Sequence, residues 1–574
     1  MLTLGINAAY HDSAACLVRD GDVVAAAEEE RFTRIKHGKR PVPFSAWELP
    51  YHAIDYCLAE GELELADLDH VAYSFDPYLL LDRHAATMTL PLEPSAGAAA
   101  GLAPWEPLFV SYIINAERQL IDGAPHRLAA RFRTAKERRR WQWHFVEHHL
   151  AHEASAFLPA PFADAAVLTL DGRGEKTATS YGHFEGGEYR RLKQIPLPSS
   201  LGLLYEQVTD YLGFLRSSDE YKVMALASYG KPSYVDWFRD IVELGADGGY
   251  VVHPARLEQR FGPKRARGAP LTQQHFDIAH SLQAVLEETV IELARWLRRA
   301  TGSANLCMAG GVALNCVLNG RLRDQHVFER IFVQPAAGDA GTALGAALWV
   351  DWQQGDRARR FNMEHAYLGP EFSADEIEAE LKRSKVKYRR LHDVADEAAA
   401  LLAEDRILGW FQGRMEFGPR ALGARSILAS PRSADMQQRL NEIKDREDFR
   451  PVAPAVLEEA AADWFVGAER APFMLFVFDV LPEKAHLIPA VRHVDGTARV
   501  QTVGAHEQPL YHELLQAFAR RTGVPVLVNT SFNSRGDPVV CTPRDALESF
   551  WSTPLDALVI GPFLIEKPLF ESQT

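Results

Sequence analysis

The strongest constraint on the fold is a plan that occurs twice. Residues 2–7, 13–18 and 22–28 read as three strands joined by tight polar turns, with Gly21 in the second turn. The same plan returns at 166–170, 177–184 and 189–196: strand, acidic or glycine-containing turn, strand, Gly-Gly turn, strand. Helical segments follow at 207–213, 275–299 and 340–352. The middle one places Ile278, Leu282, Val285, Leu286, Val290, Leu293 and Leu297 at helical spacing. Strands alternating with helices imply an α/β fold, and the repetition implies an internal duplication.

A chain of 574 residues has room for two to four domains. Its 47% hydrophobic and 24% charged content is that of a folded globular protein. The formal charge of -15 argues against a main task of gripping nucleic acid or an anionic membrane. The basic run 127–140, flanked by Trp141 and Trp143, reads as a solvated helix face before it reads as a nucleic-acid patch. Cys16, Cys57, Cys307, Cys316 and Cys541 are scattered without a Cys-x2-Cys pair, which excludes a disulfide framework and zinc ribbons. The opening residues 1–7 lack a basic n-region and run into strand-like sequence, so no signal peptide is expected. No uninterrupted 18-residue apolar run occurs, and the cytoplasm is the expected compartment.

Within this frame, Glu147-His148-His149-Leu150-Ala151-His152-Glu153 puts His148 and His152 four residues apart on one helix face. Asp171 ends an apolar, strand-like run nineteen residues after His152. Two imidazoles and a carboxylate suit Fe(II), Mn(II) or Zn(II) better than Ca(II). The alternative is an Ala-rich helix whose histidines lie near a strand end. Further on, residues 304–308 form a strand entering Gly310-Gly311-Val312-Ala313-Leu314-Asn315, and strand, glycine pair and helix together make a phosphate-approach geometry.

Around 353–375 the sequence turns polar, and the domain boundary is placed there, giving 1–360 and 361–574. Beyond it, 373–382 and 395–404 read as helices and 407–412 and 524–529 as strands. Residues 414–450 carry eight Lys/Arg against six Asp/Glu, a local excess in an acidic chain. With Arg499-Val500-Gln501 and Asn529-Thr530-Ser531-Phe532-Asn533 nearby, these clusters point to an anion pocket, since arginine's fork matches phosphate and carboxylate.

Duplicated strand-turn-strand units are the plan of actin/hexokinase-type ATPases. The chain also resembles, nearly end to end, the O-carbamoyltransferases of nodulation-factor and antibiotic biosynthesis. The motifs that carry the resemblance include Tyr10-His11-Asp12-Ser13, Glu28-Glu29-Glu30-Arg31-Phe32, His148-His149-Leu150-Ala151-His152, Leu170-Asp171-Gly172, Glu220-Tyr221-Lys222-Val223-Met224, Gly310-Gly311-Val312, Gly418-Pro419-Arg420-Ala421, Lys444-Asp445-Arg446 and Asn529-Thr530-Ser531. The N-terminal part resembles the TsaD-type, actin/hexokinase-like fold of tRNA threonylcarbamoyltransferases, and the C-terminal part resembles a YrdC-type α+β adenylating domain.

The resemblance implies two linked reactions. Carbamoyl phosphate and ATP, with Mg2+, give carbamoyl-adenylate in the C-terminal domain, and a small-molecule hydroxyl acceptor takes the carbamoyl group in the N-terminal one. It implies Fe(II), or Mn or Zn, on His148, His152, Asp171 and Asp339, and a nucleotide near Lys222, Gly310, Gly311 and Asn315. His11, with an ordinary pKa near 6.5, would be the acceptor-side base, and Lys36 would lie beside the same pocket. Carbamoyl phosphate would meet Lys444, Arg450, Arg499 and Ser531, supported by Arg420 and Asn529. A homodimer is left open. The chief rival, a tRNA threonylcarbamoyltransferase, calls for a basic RNA surface and a separate adenylating protein. Hydrogenase maturation calls for zinc-finger cysteine pairs that are absent, and a sugar-kinase-like ATP sensor leaves two dense polar sites without a purpose.

Overall fold

The computed structural model describes residues 1–38, 49–79, 109–122, 140–534 and 536–567. Most of the basic run 127–140, and most of the apolar, Pro- and Ala-rich region 78–123, lie outside these residues. The described residues form two compact units, Met1–Met363 and Glu364–Thr574.

The first unit contains the duplication in full. Strands β1 (Leu2–Asn7), β2 (Ala14–Arg19) and β3 (Asp22–Glu28) make an antiparallel meander, to which β4 (His70–Tyr73) and β5 (Gln142–Phe145) add in parallel, in the order β3-β2-β1-β4-β5. The second sheet repeats this. Strands β6 (Ala165–Leu170), β7 (Thr177–Glu185) and β8 (Glu188–Pro196) form the meander. After a small ribbon of β9 (Val242–Leu244) and β10 (Tyr250–Val252), β11 (Asn305–Ala309) and β12 (Arg330–Val333) complete the order β12-β11-β6-β7-β8. Both hairpins turn on two residues of positive φ, Asp20-Gly21 (51° and 88°) and Gly186-Gly187 (60° and 78°). That backbone matches the twist of the flanking strands and fixes the register.

The helix Ala340–Gln354 packs on β1, β2 and β4 and on the helix His148–Phe157. Two glycines set these distances. A Cβ at Gly5 would lie 1.9 Å from the Ala343 carbonyl oxygen, and one at Gly345 would lie 1.8 Å from that of Ala151. The backbone following Asp339 is thereby brought against the helix bearing His148 and His152. The long amphipathic helix is Gln273–Thr301, closed by Gly302 in the left-handed region. The segment expected at 207–213 starts earlier, at Leu201, because Ser200 accepts the Leu203 N–H at 3.0 Å and caps it. Trp141 and Trp143, beside the basic run, pack into the first sheet's core.

The second unit is α+β. Its strands are β13 (Arg389–Arg390), β14 (Leu408–Phe411), β15 (Arg425–Ala429), β16 (Ala453–Leu457), β17 (Val477–Asp479), β18 (Thr497–Arg499), β19 (Gln501–Val503), β20 (Val526–Ser531), β21 (Ala557–Ile560) and β22 (Phe563–Glu566). Eight form a mixed sheet in the order β13-β22-β21-β14-β15-β20-β16-β19, with β17 and β18 as a separate ribbon. Trp410, Phe411, Phe518, Val528 and Phe532 lie in a single apolar core beneath helices such as Pro509–Thr522. Among the described residues no helix is long and apolar enough to cross a membrane.

Candidate functional site

Strand ends and helix starts converge in the first unit. His148 and His152 sit one turn apart on a buried helix, Asp171 follows β6, and Asp339 immediately precedes the helix Ala340–Gln354. Their ligand atoms face one another across a gap too wide for hydrogen bonds: His148 Nε2 is 3.7 Å from Asp171 Oδ2 and 3.6 Å from Asp339 Oδ1. His152 Nε2 is 3.9 Å and 3.6 Å from the same oxygens. A tetrahedron with metal bonds of ~2.1 Å has edges of roughly 3.4 Å, so the spacing fits an ion. The donor chemistry fits as well. Both Nε2 atoms are buried without a hydrogen-bond partner, and two imidazoles with two carboxylates suit a borderline first-row metal.

The surroundings hold the ligands in place. His148 Nδ1 lies 3.3 Å from the Ser74 carbonyl oxygen, which turns Nε2 toward the gap. Asp171 Oδ1 accepts the Gly311 N–H at 2.8 Å. Burial alone would raise the Asp171 carboxyl, yet the His148 and His152 rings hold it below the usual carboxylate range. Burial would likewise lower His148, and the Asp339 and Asp171 carboxylates outweigh it and raise the imidazole well above its ordinary value. Glu175 accepts the His148 N–H at 2.9 Å and the Asp76 N–H at 2.7 Å, tying the start of the histidine helix to the first half of the unit.

A second cluster surrounds Asp12. His11 Nδ1 lies 2.9 Å from Asp12 Oδ2, and His37 Nδ1 lies 2.8 Å from Asp12 Oδ1. The other nitrogen of His37, Nε2, is 2.9 Å from Ser218 Oγ, and the His11 and His37 ring centroids are 4.0 Å apart. Backbone strain gathers here: Asp12, Arg34, His37 and Ser217 all have positive φ, between 47° and 64°. Burial would lower the His11 pKa, but Asp12 outweighs it and, with Asp339 and Glu220, raises it to about 9. The ordinary value near 6.5 expected from the sequence is thereby corrected, because neutral His11 is the minority form at neutral pH. Lys36 is exposed on the short turn Lys36–Gly38, and the side chain from that turn that reaches the cluster is His37.

The glycine pair follows β11 directly. A 3-10 turn, Gly311–Leu314, separates it from the helix Cys316–Asp324. Gly310 has φ +90° and a Cβ there would lie 2.2 Å from the Leu170 carbonyl oxygen, so this glycine admits the end of β6, while Gly311 holds Asp171. Asn315 caps the helix through the Leu318 N–H at 3.0 Å and pairs with Gln283. Lys222 pairs with Asp219 at 3.2 Å near the Phe214 ring.

In the second unit Lys444, at the end of the helix Met436–Ile443, is almost fully buried. Its ammonium donates to Ser531 Oγ at 3.1 Å and to Asn533 Oδ1 at 2.7 Å. Burial, then Arg446 and Arg450, push its pKa well below the usual lysine value. Two residues back on β20, Asn529 Nδ2 donates to Gln501 Oε1 at 2.8 Å and to the Ala421 carbonyl at 3.2 Å, beside Arg420 and, through Gln501, close in sequence to Arg499. Arg450 is half-buried, 3.7 Å from Glu447. Not every arginine of the cluster belongs to an anion pocket. Arg425 is fully buried and donates to the Gln412, Gly413, Ala424 and Pro370 carbonyls, and Arg414 donates to those of Leu368 and Gly369. Sequence reasoning missed His37, Ser218 and Glu175 as site residues, with only the position of His37 beside Lys36 pointing to any of them, whereas Gln501 stands in the polar cluster already singled out beside Arg499.

Comparison with known proteins gives these sites a family. Residues 2–348 match the family Carbamoyltransferase N-terminus and residues 399–567 match Carbamoyltransferase C-terminus. An uncharacterized protein of Synechocystis sp. is 42% identical over 98% of this chain and 96% of its own length. The nodulation protein NolNO of Sinorhizobium fredii is 41% identical over 98% of this chain and 80% of its own, and the nodulation protein NolO of Bradyrhizobium diazoefficiens is 44% identical over 74% and 79%. Among solved structures, HypF of T. kodakarensis aligns with TM-score 0.33 and 15% identity, over 62% of this chain and 48% of that one. With both family halves present in order along one chain, the protein belongs to the carbamoyltransferase family and is a transferase of carbamoyl groups.

Proposed function

We propose that this enzyme is an ATP-dependent O-carbamoyltransferase acting on a small-molecule hydroxyl. In the second unit water hydrolyses carbamoyl phosphate, its oxygen replacing the bridging one as that bond breaks, and the products are carbamate and inorganic phosphate. The carbamate attacks the α-phosphorus of Mg2+-bound ATP, giving carbamoyl-adenylate and pyrophosphate. In the first unit the acceptor oxygen bonds to the carbamoyl carbon, its proton passes to His11, and AMP leaves with the electron pair of the broken C–O bond. His148, His152, Asp171 and Asp339 would hold a divalent first-row ion, Fe(II) by family resemblance, which supplies Lewis-acid polarisation of the carbonyl when bound.

The observation that carries this reading is Lys444, buried at the end of its helix with its amine on Ser531 and Asn533 and followed in sequence by Arg446 and Arg450, a grouping of cationic donors suited to a phosphate. The chain's acidity and the presence of both carbamoyltransferase halves in the same polypeptide favour a metabolite over tRNA as acceptor. Incubation with carbamoyl phosphate, ATP and a panel of hydroxylated metabolites should release AMP and pyrophosphate and add one carbamoyl mass to a panel member. ATP turnover that does not depend on carbamoyl phosphate would overturn the proposal.

A further inference from the structure

His37 has no place in the reaction as described so far, yet it sits where both halves of the first unit meet. It comes from the first half, as does Asp12, while Ser218 comes from the second, just before the helix Glu220–Ala227. A carboxylate has two oxygens, and here each has an imidazole: Oδ1 takes His37 Nδ1 and Oδ2 takes His11 Nδ1. When Nδ1 of a neutral histidine carries the proton donated to a carboxylate, the basic lone pair is on Nε2. Asp12 and His37 both adopt left-handed backbone, which aims the two side chains at each other across the turn at a cost that Asp and His bear more readily than most residues.

We propose that His37 is a positioning residue for carbamoyl transfer, which by bridging Asp12 Oδ1 and Ser218 Oγ commits Asp12 Oδ2 to His11 Nδ1 and so fixes His11 Nε2 as the nitrogen that takes the acceptor's proton. The inference rests on His11 being the base. Among the described residues, Asp12, Asp339 and Glu220 act on His11 through their charge, and the His37 ring lies beside it. Removing the donor to Oδ1 leaves more of Asp12's charge for His11, so the pH at which the base form appears moves upward.

The test is single-turnover transfer from preformed carbamoyl-adenylate by the full chain, followed from pH 6 to about 10. For His37→Ala the expected result is a loss of about 10- to 100-fold in the transfer rate constant, part of the range a positioned base supplies. Acceptor KM, metal content and AMP formation should be unchanged, and the basic limb should lie at higher pH. His37→Asn, whose amide replaces Nδ1 as donor to Asp12, should recover most of the rate and the parent limb. Ser218→Ala should give a smaller loss of the same kind, and it carries the test should His37→Ala fail to fold. A parent-like rate and limb in both His37→Ala and Ser218→Ala overturn the proposal, as does His37→Asn no better than His37→Ala. Run in parallel, His11→Asn separates the two readings. A parent-like rate there removes the base itself, whereas collapse of His11→Asn alongside parent-like His37→Ala removes only the role of His37.

Discussion

Asp12 shows how one residue sets the chemistry of another. Its carboxyl would be raised by burial, but His11 and His37 hold it well below the usual range. In return the carboxylate raises His11 to about 9. For a group whose folded pKa lies above its unfolded one, the ion pair stabilises the fold fully below pH ~6.5 and that contribution disappears as pH rises through about 9. With His11 as the proposed base, the same window frees its lone pair. The rate of carbamoyl transfer should therefore climb with pH and level off above about 9, rather than centre near an ordinary histidine value. A pH profile of the transfer step measures this directly, and a limb at about 6.5 would mean that Asp12 does not hold His11 in the working enzyme.

At the scale of elements, the loop 413–425 divides polar residues between scaffold and site. Glu416 is buried and accepts the N–H groups of Leu422 and Ala424 at 2.7 and 2.8 Å, while Arg425, stacked 3.7 Å over Phe411, donates to four carbonyls. Arg425→Ala leaves those carbonyls short of donors at about 1–3 kcal/mol each where buried. Calorimetry should show a marked fall in the melting temperature of the second unit. If the variant instead keeps the parent melting temperature and loses only carbamoyl phosphate affinity, Arg425 is a ligand and the scaffold assignment is wrong. The contrast shows which features the sequence made legible. The meanders were readable because alternating strands and two-residue Gly turns are local signals, and all six strands of the two meanders fall within two residues of expectation. The roles of Gly310 and Arg425 were not, because a glycine's neighbour and an arginine's acceptors are set by tertiary contacts. Gly310 makes room for Leu170, 140 residues earlier in the chain, and nothing in the run Gly-Gly-Val-Ala-Leu-Asn distinguishes that from making room for a phosphate.

On the scale of the whole molecule, among the described residues each constellation is assembled inside its own compact unit: His148, His152, Asp171, Asp339 and the Asp12 cluster within Met1–Met363, and Lys444, Ser531, Asn529 and Gln501 within Glu364–Thr574. Two sites with separate cores should fail separately. Lys444→Ala removes the amine that donates to Ser531 within the second unit, and should abolish AMP formation from carbamoyl phosphate and ATP while leaving transfer from supplied carbamoyl-adenylate within a few-fold of the parent. His11→Asn should do the reverse, preserving AMP formation and slowing transfer by roughly 10²-fold or more. The same preparation of each variant is assayed for both steps, with melting temperature and metal content as controls. If well-folded Lys444→Ala loses transfer from supplied adenylate as well, the buried lysine acts on the acceptor step, and the division of labour between the two halves has to be abandoned.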